Sequence, residues 1–154
     1  MDFPFRKGAT ALRLVDYARR LFDLSATVHR WLGALGQLEE ARRLRVARYA
    51  DRIAATLART VSVLECLQES PGDRAARTQA VRELGRVAGY IETMVGPLEH
   101  HLDGRKLAGV KRRLELLRPG EIHKCVVLGL KPAHIERLAA AEGYFRALAD
   151  GLRT

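Results

Sequence analysis

The chain has 154 residues, of which 47% are hydrophobic and 29% are charged, which is enough for one globular domain with a core and too little for two. Aromatic residues make up only 6%, and the abundance of Ala, Leu and Arg favours helices and argues against an all-β fold. The formal net charge of +9 suits an acidic or polyanionic partner.

The first two predicted helices cover about residues 9–35 and 37–68. In the first, apolar side chains recur at spacings of three and four, which is typical of a helix that packs on other helices. The second carries one apolar face, formed by Val46, Ala50, Ile53, Leu57, Val61, Leu64 and Leu67. Residues 69–73, Glu-Ser-Pro-Gly-Asp, then predict a turn in which Asp73 caps the following helix.

Two further long helices and a final one complete the chain. The third, about residues 74–98, has an apolar stripe of Val81, Leu84, Ala88, Ile91, Val95 and Leu98. A fourth is expected over about 102–117, followed by an apolar run at 125–130 that predicts one or two helical turns. Pro132 is expected to begin the last helix, with an inward face of Ile135, Leu138, Phe145, Leu148 and Leu152.

These elements predict an all-α fold, in which one domain spans residues 1–154. Short connections favour an antiparallel up-and-down bundle of four main helices, with the last helix as a C-terminal brace. No apolar stretch is long enough to span a bilayer, and no export segment is recognisable. Together with Cys66 and Cys125, which show no pairing or zinc-type spacing, this predicts a protein of the reducing cytoplasm.

Two groups of basic residues are candidate binding surfaces. Arg45, Arg48, Arg52 and Arg59 lie within an arc of roughly 60° on the second helix, away from its apolar face. The second group, on the fourth helix, projects away from the apolar stripe and consists of Arg105, Lys106, Arg112 and Arg113. Either group is a solvated helix face or a surface for phosphates, acidic lipids or acidic proteins. Because no basic stretch carries a series of aromatic platforms, nucleic-acid binding would be directed at the backbone and tolerant of sequence.

The first helix is a candidate interaction helix, through Leu14, Val15, Leu21 and Phe22, with Trp31 near its end. Arginines surround this stripe, so the helix is suited to exchange its core packing for a partner helix or an anionic membrane surface. The alternative is that these residues are simply core, with Trp31 as its cap.

Signals of enzyme chemistry are weak. His100 and His101 are adjacent, so on a helix they diverge by about 100° and cannot share a metal ion unaided. Arg118 and His123 have the Arg-x4-His spacing that resembles HEPN-type ribonucleases, although the intervening Pro-Gly would hold them in a turn. We therefore expect no enzyme activity, no metal, no cofactor and no small-molecule substrate.

A stretch of the second helix, Arg45–Leu57, contains the pattern Tyr-x-Asp-x-Ile-Ala-x-x-Leu. With Ala80–Leu84 and Ile91–Leu114, it resembles the helical modules of bacterial conflict and defence proteins, which are similar to HeLo-type and necroptosis-type four-helix bundles. The resemblance implies oligomerisation, partner recruitment or membrane permeabilisation. Within the pattern, Asp51 and Tyr49 lie beside the arginines, and a structural ion pair explains them without a functional role.

Three functions follow as hypotheses. The first is a non-enzymatic interaction module of a bacterial defence system that acts by self-association, by binding a protein partner or by contact with an anionic membrane. The alternative is a basic helical subunit that binds the backbone of RNA or DNA in a nucleoprotein complex. The third is a HEPN-like ribonuclease.

Overall fold

The computed structural model describes residues 19–21, 23, 37–95 and 132–154. They contain three long helices, α1 (Glu40–Glu69), α2 (Arg74–Val95) and α3 (Pro132–Arg153). Residues 19–21 and 23 are also helical, and none of the residues in these ranges lies in a β-strand. The prediction of an all-α fold is confirmed. The predicted fourth helix and the apolar run at 125–130 lie outside the described residues.

α1 and α2 form an antiparallel hairpin around the predicted turn. The backbone N–H of Ser70 donates to the carbonyl oxygen of Cys66 (2.9 Å), which ends α1, and that of Asp73 donates to Ser70 (3.1 Å). The Asp73 carboxylate then accepts a hydrogen bond from the backbone N–H of Ala76 (3.1 Å). The predicted turn and the predicted N-terminal cap of α2 are both confirmed, since this carboxylate satisfies one of the free N–H groups at the start of the helix.

α1 begins three residues later than the sequence indicates. Its first residue is Glu40 rather than Gln37, because the backbone of Glu39 (φ −49°, ψ 140°) is not helical. The carbonyl oxygen of Glu39 already accepts from the N–H of Arg43 (2.9 Å). Glu39 is thus the residue that flanks the helix.

α1 packs against both α2 and α3, and its buried surface is correspondingly broad. Two of its buried residues are polar, Thr56 and Thr60. Their hydroxyl groups donate to the carbonyl oxygens of Arg52 (2.7 Å) and Thr56 (2.8 Å), so neither hydroxyl is left without a partner in the interior. The apolar face predicted for this helix is buried, except that Val61 is only partly buried.

α2 is turned slightly from the orientation that its apolar pattern predicts. Leu84 and Ile91 are buried as expected, but Val81 and Ala88 are only partly buried. The buried stripe includes Glu83 and is otherwise formed by Ala80, Leu84, Val87, Ile91 and Met94. The rotation brings the Glu83 carboxylate against α1, and a pattern of apolar residues alone gives no signal for a buried charge.

α3 matches its prediction closely. It begins at Pro132, whose fixed φ suits the first turn of a helix. All of the residues predicted to face inward are buried, and Phe145 is the largest fully buried side chain among the residues that the structure describes. Neither α3 nor any other helix in the described part of the chain combines the length and hydropathy needed to cross a membrane.

Candidate functional site

The arginines predicted on α1 form an exposed basic face, by which we mean Arg45, Arg48, Arg52 and Arg59. All four are exposed. At 1.5 Å of rise per residue, Arg45, Arg48 and Arg52 are separated along the helix axis by about 4.5 and 6 Å. Their charged groups therefore follow one line along the first half of α1.

Tyr49 lies at the edge of this face and contacts two of its cations. The guanidinium carbon of Arg52 is 5.1 Å from the centroid of the Tyr49 ring, and that of Arg45 is 6.0 Å away. Both distances are in the range of cation–π attraction. Neither arginine forms an ion pair with a carboxylate in the part of the chain that the structure describes, so an aromatic ring holds them while their charge stays uncompensated.

A second tyrosine reaches the same place from α2. The ring of Tyr90 is 6.1 Å from that of Tyr49, centroid to centroid, with an angle of 49° between the ring planes. Both rings are partly buried against the core. This is a common geometry for an aromatic pair, and it fixes Tyr49 at the junction of core and surface.

Arg59 differs from the other three because it is bound to a buried carboxylate. Its Nε donates to Oε2 of Glu83 (3.3 Å) and its Nη2 to the hydroxyl of Thr56 (3.1 Å). Glu83 is only 2% exposed. Its other carboxylate oxygen accepts from Gln79 (2.7 Å) and lies 3.6 Å from Nη1 of Arg86.

Arg86 extends the basic face onto α2, because it shares the Glu83 carboxylate with Arg59. The side chains of Arg59 and Arg86 are about half exposed, so their charges remain in contact with solvent. The surface formed by the basic face and Arg86 holds five guanidinium groups and one carboxylate.

Asp51 does not compensate this surface. Asp51 forms a structural ion pair, but not with the arginines beside it on α1 as predicted, because its partner is Arg153 at the end of α3. Arg153 also lies 3.8 Å from the Asp150 carboxylate. The hydrogen bond that Arg153 donates to the Asp51 carboxylate raises the pKa of Arg153 above its ordinary value. The one acidic residue of the Arg45–Leu57 stretch is therefore used to join α1 to α3.

Of the remaining predicted residues, only Leu21 can be placed. It is helical, wholly buried and part of the core cluster. The others lie outside the described residues; they are Leu14, Val15, Phe22 and Trp31 of the interaction helix, Arg105, Lys106, Arg112 and Arg113 of the second basic group, and His100, His101, Arg118 and His123.

Sequence reasoning missed three residues of this site. Glu83, Arg86 and Tyr90 are on α2, and only the packing register of the hairpin brings them beside the arginines of α1. The spacing of Gln79, Glu83 and Arg86 at intervals of four and three was the available signal, since residues so spaced face one another on a helix. No group of three or more His, Cys, Asp or Glu side chains suited to a metal ion occurs among residues 37–95 and 132–154 or the few described before them.

The class of protein that these observations define is an all-α protein with an exposed arginine surface at a helical hairpin. Comparison with protein-family models, with curated proteins and with solved structures finds no match. The contacts and charges of the described residues are therefore the basis for assigning a function.

Proposed function

We propose that this chain is a non-enzymatic helical interaction module that binds an anionic macromolecule through its basic face. The observation that carries the proposal is the line formed by Arg45, Arg48 and Arg52, which are exposed and have no carboxylate partner within the described part of the chain. Guanidinium groups bind carboxylates and phosphates through two parallel hydrogen bonds, so three of them in a row suit a partner with repeated negative charge.

The electrostatic repulsion between Arg45, Arg48 and Arg52 supports this interpretation. Like charges three and four residues apart on a helix repel each other and lower its stability. Surfaces that serve only solubility usually intersperse both signs. An anionic partner would relieve the repulsion between these arginines, which no carboxylate of the described helices pairs with.

The scarcity of exposed apolar side chains favours a contact driven by charge. Leu44, at 38% exposure, is the one large hydrophobic residue exposed in the described ranges. Protein interfaces usually depend on buried aromatic or apolar anchors, and membrane-surface helices on a broad apolar face. The basic face has no broad apolar surface, and Tyr49, its one aromatic side chain, is partly buried.

The interaction helix, apart from Leu21, and the ribonuclease motif fall on residues that the structure does not describe. Exchange of the first helix would have to remove Leu21 from the core, so we assign binding to α1 instead. Self-association, membrane contact, a role in bacterial defence, a cytoplasmic location and the ribonuclease motif all stay predictions. We also propose that the described helices belong to an antiparallel bundle of four main helices with a C-terminal brace, which the antiparallel hairpin of α1 and α2 supports.

Heparin chromatography tests the proposal, because heparin is a polyanion without bases or lipid. A triple variant, Arg45→Gln, Arg48→Gln and Arg52→Gln, lowers the net charge from +9 by three. The matched control makes the same change at three exposed arginines elsewhere, Arg74, Arg137 and Arg146.

We expect the basic-face variant to elute at clearly lower salt than the control, because only the first loses a contiguous array of charges. Circular dichroism and urea unfolding check that both variants are folded. Elution of the two variants at the same salt concentration would contradict the proposal, since retention would then follow net charge alone.

A further inference from the structure

We infer that the anionic partner is a single-stranded nucleic acid, whose phosphates contact Arg45, Arg48 and Arg52 and whose unpaired bases stack at Tyr49. This inference rests on the proposed function and adds the class of ligand. It depends on one juxtaposition, an aromatic ring placed between guanidinium groups that have no carboxylate partner in the described helices.

The shape of the charge favours a linear polyanion. From Arg45 to Arg59 the basic face extends about 21 Å along the helix axis, and Arg86 continues it onto α2. A free phosphate or a single acidic side chain would occupy only one or two of these groups. A phosphodiester strand presents a charge at every nucleotide and can engage the whole line.

The aromatic residues favour an unpaired strand. Tyr49 is partly exposed at the edge of the line of arginines, with the Arg52 guanidinium 5.1 Å from its centroid and the Tyr90 ring beside it. Unpaired bases stack on aromatic rings and on guanidinium planes. In a duplex the faces of the bases are covered by their neighbours, so a duplex would use the arginines but not the tyrosines.

An acidic protein and an anionic membrane fit the surface less well. Both usually require exposed apolar side chains near the charge, and Leu44 is the single large one among the described residues. Poly-glutamate and vesicles containing phosphatidylserine are therefore included as competing ligands in the test.

The decisive comparison is between two oligomers that carry the same phosphates. One is a labelled single-stranded DNA of about 15 nucleotides, near the upper end of the roughly 4–16 nucleotides that single-strand binding sites cover. The other is an abasic oligomer of the same length. Fluorescence anisotropy titrations of the full chain measure both affinities, and we expect the base-bearing strand to bind about tenfold more tightly.

Variants of Tyr49 test whether its ring causes the difference in affinity between the two oligomers. We expect Tyr49→Leu to bring the affinity for the base-bearing strand down to that for the abasic oligomer, because the charges remain but the ring is lost. Tyr49→Phe keeps a ring and is expected to keep the difference. Tyr144→Leu, at another partly buried tyrosine on α3, is the control, and urea unfolding of each variant monitors the fold.

The salt dependence of the affinity tests whether the arginines contact phosphates. For single strands, each neutralised phosphate adds about 0.7 to the slope of log affinity against log salt, so the Arg45, Arg48 and Arg52 triple variant is expected to lower that slope by about 2. An unchanged slope would overturn the contact of these three arginines with phosphates.

Failure of the inference is distinguishable from failure of the proposed function. If the chain binds heparin through the basic face but binds base-bearing and abasic oligomers equally, the inference is wrong and the proposed function stands. Tighter binding of duplex DNA, poly-glutamate or vesicles than of the single strand would also overturn it. Absence of heparin binding would overturn both.

Discussion

Replacing Glu83 tests what the buried carboxylate under the basic face contributes to stability. Its side chain is 2% exposed, whereas the side chains of Arg59 and Arg86 are 51% and 52% exposed. Removing the carboxylate therefore leaves two cations that water can solvate. Removing both cations instead leaves a buried negative charge, with Gln79 as its remaining hydrogen-bond donor at 2.7 Å.

The two changes should have unequal costs. We expect Glu83→Met, which substitutes an unbranched apolar side chain, to change the free energy of unfolding by less than about 1 kcal/mol, because well-packed apolar replacements of buried ions are often neutral. The double variant Arg59→Met and Arg86→Met should lower it by about 3 kcal/mol, the lower end of the range for a buried charge that loses its partners, since Gln79 stays in place.

Urea unfolding followed by circular dichroism measures both effects. A variant that combines Glu83→Met with Arg59→Met and Arg86→Met completes the thermodynamic cycle. In this combined variant no charge is left buried, so its free energy of unfolding should return to that of Glu83→Met. If Glu83→Met is as destabilising as the double arginine variant, the reasoning is refuted, because the attraction itself would then outweigh the cost of burying the carboxylate.

Two further predictions concern the fold. Phe145→Ala removes the largest fully buried side chain of the described helices and should lower the free energy of unfolding by about 3–5 kcal/mol. Ala147→Ser, at an exposed position on the same helix, should change it by less than about 0.5 kcal/mol. Asp73→Ala removes the cap of α2 and should lower the free energy of unfolding by about 1 kcal/mol. Asp73→Asn should keep most of that stability, because an amide oxygen also caps a helix. Urea unfolding measures each, and equal effects within either pair would contradict the assigned role.

Local signals in the sequence were sufficient for the described helices. Pro132 marked the start of α3, the Pro-Gly-Asp turn separated α1 from α2, and apolar spacing identified most of the buried residues. These features depend on a few neighbouring residues, through fixed backbone angles, capping and helical periodicity. For this reason they can be read without knowledge of the tertiary structure.

The surroundings of the basic face depend on contacts between helices, which the sequence did not reveal. The four arginines were predicted from their spacing on one helix. Arg153, the partner of Asp51, is 102 residues away, and Tyr90 reaches Tyr49 only because the two helices pack antiparallel in one register. The orientation of α2 places Glu83 in the interior, where contacts with Arg59, Arg86 and Gln79 offset the cost of burying its charge.

Arg48 allows the functional role of the basic face to be separated from stability. It lies three residues after Arg45 and four before Arg52, and it makes no hydrogen bond or ion pair within the described ranges. Two like-charge neighbours at these spacings each destabilise a helix by about 0.2–0.5 kcal/mol, and Asp51, the opposite charge three residues after Arg48, offsets only part of this because it is paired with Arg153. Arg48→Gln should therefore raise the free energy of unfolding by about 0.5 kcal/mol and at the same time lower the salt concentration of elution from heparin.

Arg137→Gln, at an exposed arginine of α3, carries the same change of charge and should alter neither quantity appreciably. A folded chain that gains stability while losing retention would show that Arg48 is kept at a cost to the helix. If Arg48→Gln is destabilising, or leaves heparin elution equal to that of Arg137→Gln, then Arg48 supports the helix or is ordinary solvated surface, and the binding role assigned to it is wrong.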